Sequence, residues 1–187
     1  FEEAGIDVSE LGNITMDEYI ELGKVFKEKT GRYMQAGDPY DGGLMRTLLQ
    51  SAGTWYFDEK GEPNIVNNPA LKEAVRIYKE LNDSGISKET SGWNEWVAAF
   101  NGGEVASVIT GVWIVGSIKA EETQSGKWGV LPIPRPNIPG SVNASNLGGS
   151  SWYILENSEN RDLAIDFLNQ IYAKDVDFYQ KILIDRG

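Results

Sequence analysis

The chain has 187 residues, of which 41% are hydrophobic, 11% aromatic and 24% charged, a composition typical of a globular protein that buries a core. Its formal net charge of −11 disfavours nucleic acids and anionic membranes as partners, because their charges have the same sign. It contains no histidine and no cysteine. This removes the usual general base or metal ligand of the common serine, cysteine and zinc hydrolases, and it excludes disulfide bonds.

The first part of the chain predicts two helices separated by a loop. Thr15 and Glu18 have the spacing of a capping box and are followed by apolar residues at helical spacing, which predicts a helix over about 15–30. A shorter helix is predicted over 44–52. The loop before it, at 37–43, is rich in glycine and aspartate and is the first candidate site.

The middle of the chain predicts a hairpin and two more helices. Residues 55–57 and 65–66 flank a turn-forming stretch and predict the hairpin. Asn68 and Pro69 then predict the start of a helix, and Ser91 predicts the start of another. The first of these helices is expected to bury the stripe Leu71, Ala74, Val75, Tyr78 and Leu81, and the second the stripe Trp96, Val97 and Phe100.

The rest of the chain predicts strands alternating with helices. Buried strands are expected at 105–110, 128–134 and 152–155, from their apolar and β-branched residues. Further helices are expected from Ser158 to about residue 171, and over about 175–185. Helices alternating with short buried strands predict the α/β class.

Five groups of residues carry a resemblance to a known family. They occur in the family's order: Phe1–Asp7 with Thr15–Tyr19, Phe100–Trp113, Trp128–Pro134, Gly148–Gly149, and Ser158–Ala164 with Phe167–Leu168. Together they cover essentially the whole chain. On these motifs the sequence resembles the extracellular solute-binding proteins of ABC importers, in particular the sugar-binding, maltose-binding-protein-like members.

The resemblance implies a periplasmic-binding-protein-like α/β fold of two lobes, with the solute held in the cleft between them. Residues 1–132 match most of the C-terminal lobe, and 133–187 match the segment that returns to the N-terminal lobe. We expect the remaining parts of both lobes to belong to a longer polypeptide of which this chain is a fragment. The proline-rich stretch at 132–139 is the expected crossing between the lobes.

The resemblance also implies a function. The expected function is capture of a carbohydrate, in particular an oligosaccharide, for uptake through the membrane permease of an ABC importer. The expected location is extracytoplasmic, either in a periplasm or lipid-anchored on the outer face of the membrane as a lipoprotein. No cofactor, metal or nucleic acid is expected, and the fragment is expected to dimerise through the surface that its missing lobe would cover.

Three aromatic residues are the main candidates for ligand contact. A pyranose has an apolar C–H face that can lie on an aromatic ring. Trp113 follows the predicted strand at 105–110, and ligands of α/β sheets bind at the carboxyl ends of strands. Trp93 lies at the start of its helix, outside the buried stripe, and Tyr40 lies in the loop at 37–43. By resemblance all three match ligand-side aromatics, and the alternative for each is packing in the core or under a loop.

Five further residues are candidates for polar or close backbone contact with the ligand. Asp38 and Asp41 could accept hydrogen bonds from sugar hydroxyls, although aspartate in such a loop also forms turns. Gly148 and Gly149 would let the backbone approach the ligand, or they simply form a tight turn. Asn146 beside them is a candidate polar contact.

A purely structural interaction module, which would have an exposed aromatic patch and no response to small molecules, is one alternative at the level of sequence. Two further alternatives stay open. One is the same fold binding a non-sugar solute such as a polyamine or a peptide, with Asp38 and Asp41 meeting a positive charge. The other is a carbohydrate-active enzyme, since a glycosidase needs only two suitably spaced carboxylates. No acidic residue lies in a motif that marks it as catalytic, so we expect binding without catalysis.

Overall fold

Helices make up most of the regular structure. The computed structural model describes residues 1–38 and 41–185. Its helices are α1 (Met16–Thr30), α2 (Gly43–Ser51), α3 (Pro69–Asp83), α4 (Gly92–Asn101), α5 (Val115–Lys119), α6 (Arg161–Leu168) and α7 (Val176–Tyr179). Its strands are β1 (Gln35–Gly37) and β2 (Ser87–Glu89). The chain divides into two compact units, Phe1–Leu147 and Gly148–Gly187.

The first helix begins and ends where its sequence predicts. The Thr15 hydroxyl accepts a hydrogen bond from the Glu18 N–H at 3.2 Å, and the Glu18 carboxylate accepts one from the Thr15 N–H at 2.7 Å. These bonds complete a capping box. The N–H and the hydroxyl of Thr15 both donate to the Glu18 carboxylate, which holds its pKa below its usual value. Gly31 ends the helix in the left-handed conformation, with φ of 72°. The predicted helix over 15–30 is therefore confirmed.

Three segments of the first unit run parallel. β1 pairs with β2, with Gln35 opposite Ser87. The chain just before β1 pairs with a third segment, because Tyr33 forms a parallel bridge with Val105. We call residues 104–110 the third segment. The backbone hydrogen bonds between the third segment and the chain before β1 end at residue 107. The strand predicted over 105–110 is therefore too long.

The core of the first unit consists of two apolar clusters. The larger is built from α1, α2 and α3 together with residues next to β1 and β2, and includes Ile20, Phe26, Leu48, Ile77 and Ile86. The smaller comprises Ala99, Phe100, Val105 and Ile114, with Trp96, Val97 and Trp128 packed against it. The stripe predicted for α4 is therefore confirmed as packed against the core.

The stripe predicted for α3 is partly wrong. α3 buries Ala70, Ala74, Ile77 and Leu81. Val75 is exposed, and neither Leu71 nor Tyr78 is fully buried. Both sets of residues follow helical spacing, so the pattern alone does not decide how the helix is rotated toward the core.

Two predicted strands and most of the predicted hairpin are absent from the described residues. The segment 128–134 forms no strand, and Val130 is 90% exposed. The segment 152–155 is also irregular and exposed. The stretch at 55–66 contains a single antiparallel bridge between Phe57 and Pro63. A β-prone sequence becomes a strand only when a neighbouring strand supplies hydrogen bonds, and the part of the chain that the structure describes offers no such partner at these places.

The second unit is helical after an irregular start. α6 begins after Asn160, not after the predicted Ser158, and continues as a π-helix over Asn169–Lys174. α7 begins after Asp175 and is followed by a second π-helix over Gln180–Asp185. The helix predicted over about 175–185 is therefore confirmed, and its second half is a π-helix. Across the described ranges, no helix is both long and apolar enough to span a bilayer.

Asn68 joins the 54–68 turn to the start of α3, and its replacement is expected to destabilise the protein. Its side-chain oxygen accepts hydrogen bonds from the N–H groups of Ala70 and Leu71 at 3.1 and 3.2 Å, and its amide donates to the Asn64 carbonyl at 3.2 Å. We expect Asn68→Ala to lower the free energy of unfolding by about 1–3 kcal/mol, measured by urea denaturation. The exposed Asn82→Ala change near the end of the same helix is the control, and an equal loss there would contradict this role for Asn68.

Candidate ligand-binding site

The parallel arrangement brings three candidate regions to one edge of the small sheet. β1 leads into Asp38, β2 leads through Thr90 into Trp93 at the start of α4, and the third segment leads into Gly111 and Trp113. Because the segments are parallel, their carboxyl ends lie on the same side. That edge is where ligands bind in open α/β sheets.

Three indole rings meet at this edge. The ring centroids of Trp93 and Trp113 lie 5.7 Å apart, those of Trp93 and Trp96 lie 5.6 Å apart, and those of Trp96 and Trp113 lie 6.2 Å apart. We call these three residues the tryptophan cluster. Trp93 and Trp113 are 51% and 48% exposed, whereas Trp96 packs against the smaller core cluster and the ring of Phe100. The cluster therefore has a partly buried base, Trp96, and two half-exposed rings that are available to a ligand.

A hydrogen bond and a glycine fix the Trp113 ring. The Trp113 indole N–H donates to the Leu147 carbonyl at 2.9 Å. Gly111 lies against the same two groups. A Cβ atom at position 111 would stand 2.4 Å from the Leu147 carbonyl oxygen and 2.4 Å from the Trp113 Nε1 atom. Gly111 is thus required by close approach, a role that its place directly after the strand predicted at 105–110 does not reveal.

A carboxylate lies at the start of α4 beside Trp93. The Asp38 side chain accepts a hydrogen bond from the Gly92 N–H at 3.0 Å. This is a favourable place for a negative charge because the first N–H groups of a helix carry partial positive charge. The bond holds the Asp38 carboxylate at the residue that precedes Trp93, and its contact with a ligand stays a prediction.

Asp41 already has a local role. Its side chain accepts a hydrogen bond from the Gly43 N–H at 2.9 Å at the start of α2, and it lies 4.0 Å from the Arg46 guanidinium. These contacts match the turn-forming alternative for an aspartate in a glycine-rich loop. Its contact with a ligand stays a prediction.

Asn146 is next to the residue that holds Trp113. Its backbone N–H donates to the Gln50 side chain at 3.0 Å, and its own side chain is exposed. Leu147, the carbonyl partner of the Trp113 indole, follows directly. The structure therefore brings Asn146 near the tryptophan cluster. Gln50, which sequence analysis did not single out, holds this segment in place.

Gly148, Gly149 and Tyr40 complete the set of candidate residues. Gly148 and Gly149 begin the second unit, with φ of 123° and 105°, a conformation that favours glycine. A Cβ on Gly149 would meet no atom within 4 Å, so backbone conformation and not space requires glycine there. Tyr40 lies outside the described residues. Among the described residues, no group of three acidic side chains is arranged to hold a metal ion.

A family model matches residues 13–179, and its description is bacterial extracellular solute-binding protein. This match covers most of the chain. The chain belongs to the family of bacterial extracellular solute-binding proteins. The family is extracellular by its description, and the expected periplasmic-binding-protein-like α/β fold is confirmed for the part of a lobe that this chain provides.

Two curated relatives of this family are named for carbohydrates. The lactose-binding protein of Rhizobium radiobacter is 52% identical over 186 residues, which is 100% of this chain and 44% of that protein. The arabinooligosaccharide-binding protein of Halalkalibacterium halodurans is 27% identical over 178 residues, which is 92% of this chain and 39% of that protein. The chain thus spans less than half the length of these relatives.

A solved structure has a similar fold. It is the GacH receptor of Streptomyces glaucescens, described without ligand and in complex with acarbose and an acarbose homologue. The TM-score is 0.62 at 28% sequence identity, over 73% of this chain and 35% of that chain. Each of these three similar proteins is a binding protein or receptor by name.

Proposed function

We propose that this chain is part of an extracytoplasmic binding protein that captures an oligosaccharide for uptake by an ABC importer. The observation that carries the proposal is the tryptophan cluster: two half-exposed indoles lie at the carboxyl edge of a parallel sheet, with the Asp38 carboxylate beside them. Apolar ring faces suit the C–H face of a sugar, and a carboxylate accepts hydrogen bonds from its hydroxyls. The carbohydrate names of the relatives support the same ligand class.

In this proposal each candidate residue has a defined contact with the sugar. Trp113 and Tyr40 supply stacking faces, and Trp93 supplies a third wall. Asp38, Asp41 and Asn146 supply polar contacts, and Gly148 and Gly149 let the backbone approach the ligand. Sugar binding favours closure of the two lobes because only the closed arrangement lets both lobes touch the ligand.

The proposal includes a partner and a location. The loaded protein delivers its sugar to a membrane permease, and it works in a periplasm or as a lipoprotein on the outer face of the membrane. We also propose binding without catalysis, in line with the names of the relatives. Dimerisation of the isolated chain stays a prediction.

A titration of the full-length protein tests this proposal. Intrinsic tryptophan fluorescence is followed while lactose, an arabinooligosaccharide, a polyamine and a peptide are added in turn. We expect a saturable change with at least one sugar at a micromolar dissociation constant, about −8 kcal/mol, and recovery of the sugar unhydrolysed. A response only to the polyamine or the peptide would show that the ligand is not a sugar. Shorter sugar products would indicate an enzyme.

A further inference from the structure

Four polar side chains lie among the parallel segments of the first unit. They are Tyr19 on α1, Gln35 on β1, Ser87 on β2 and Ser107 on the third segment. Tyr19 is 4% and Gln35 is 8% exposed. A buried hydroxyl or amide is costly unless it is hydrogen-bonded, and its bonds are directional, so such a group specifies an arrangement that an apolar side chain would leave open.

The four side chains form two hydrogen-bonded pairs, Tyr19 with Ser107 and Gln35 with Ser87, and the pairs meet at a longer contact between Tyr19 and Gln35. The Ser107 hydroxyl donates to the Met34 carbonyl at 2.7 Å, so its oxygen accepts the proton of the Tyr19 hydroxyl, 2.7 Å away. The same phenol proton also faces the Gln35 side-chain oxygen, which lies 3.4 Å from the Tyr19 oxygen. The Gln35 side-chain amide donates to the Ser87 hydroxyl at 3.1 Å. Burial raises the pKa of Tyr19, which keeps its phenol protonated and able to donate.

These contacts join the segments that lead to the tryptophan cluster. Gln35 and Ser87 are direct register partners in the parallel pair. Ser87 precedes Trp93 by six residues, and Ser107 precedes Trp113 by the same number. A slip of one residue in either pairing would shift the chain that leads to the corresponding tryptophan along the edge and turn the paired side chains to the other face.

The backbone pairing alone is short. β1 and β2 pair over three residues each, and the third segment has a single ladder bridge, between Tyr33 and Val105. Such short ladders contain few backbone bonds to resist a slip. Directional side-chain bonds between the segments therefore matter more here than in a long sheet.

We propose that Tyr19, Gln35, Ser87 and Ser107 are positioning residues, forming a buried polar network that fixes the register of the three parallel segments and thereby the geometry of the tryptophan cluster. The effect on sugar binding rests on the proposed function. The effect on the tryptophan geometry does not.

The test combines Tyr19→Phe with Ser107→Ala in the full-length protein. Both changes remove a hydroxyl and leave the remaining side chain apolar. The matched control is Thr47→Val, because Thr47 is 4% exposed and its hydroxyl bonds only within α2, to the Gly43 carbonyl at 3.0 Å. Three quantities are measured: the midpoint of thermal unfolding, the near-ultraviolet circular dichroism of the indole bands, and the dissociation constant for the sugar.

We expect the double variant to change the indole dichroism and to weaken sugar binding at least fivefold at a temperature where it is fully folded. The Thr47→Val control is expected to lose thermal stability and to keep the wild-type indole dichroism and dissociation constant. A double variant that loses stability but keeps the wild-type dichroism and affinity would overturn the proposal. If the double variant does not fold, the single Ser107→Ala variant gives the same readouts. If the wild-type protein binds no sugar, the proposed function fails and the dichroism still decides the role of the network.

Discussion

Replacing Trp113 by alanine is expected to raise the dissociation constant for the sugar at least tenfold, equivalent to about 1.4 kcal/mol. The indole is half-exposed at the carboxyl edge of the sheet and stands next to Trp93, so its free face is one of the two half-exposed indole surfaces offered to a ligand there. Binding of the full-length protein is measured by isothermal titration calorimetry, which does not depend on tryptophan fluorescence.

A Trp113→Phe variant separates stacking of the ring on the sugar from the hydrogen bond that holds the ring to Leu147. Phenylalanine keeps an aromatic face but cannot donate a hydrogen bond to the Leu147 carbonyl, as the indole does. We expect it to retain more affinity than the alanine variant and less than the wild type. Wild-type affinity in Trp113→Ala, with the protein folded, would remove this residue from the site.

Replacing Gly111 by alanine is expected to weaken sugar binding by as much as the loss of Trp113 itself. A methyl group at this position would lie 2.4 Å from both the Leu147 carbonyl oxygen and the Trp113 Nε1 atom, a distance that real contacts do not show. The Leu147 carbonyl is backbone, so the Trp113 ring is the group that can move. It would lose its hydrogen bond and its place beside Trp93.

Gly116→Ala is the matched control for this change. Gly116 lies in α5, five residues after Gly111, and a Cβ there would meet no atom within 4 Å. Alanine is also the better helix former, so this variant is expected to be at least as stable as the wild type and to bind sugar normally. Equal affinity in the Gly111→Ala and Gly116→Ala variants would show that the close approach at Gly111 does not control the site.

The helices could be predicted because their signals are local. Thr15 with Glu18, and Asn68 with Pro69, mark helix starts within four residues of sequence, and the structure has a helix at each of these places. The strands could not be predicted in the same way. β1 reads Gln-Ala-Gly and β2 reads Ser-Lys-Glu, with no β-branched residue in either, so their strand structure comes from pairing with distant segments.

The candidate site was predictable only in part, for the same reason. The position of Trp113 after an extended segment indicated the correct edge of the sheet, and the place of Trp93 at a helix start indicated an exposed ring. Their 5.7 Å separation depends on the parallel register of residues far apart in sequence. The bond from Trp113 to Leu147 and the close contact at Gly111 depend on the path of residues 141–147, which no short motif encodes.

The central claim is that a sugar lies on the exposed rings of the tryptophan cluster. The most direct test is fluorine NMR of the full-length protein labelled with 5-fluorotryptophan, with signals assigned by substituting Trp93, Trp113 and Trp55 one at a time. Trp55 is the internal reference, since its ring lies against Tyr56 and outside the cluster. We predict that saturating sugar shifts the Trp93 and Trp113 signals and leaves Trp55 unchanged. Sugar binding that leaves both cluster signals unchanged would contradict the account.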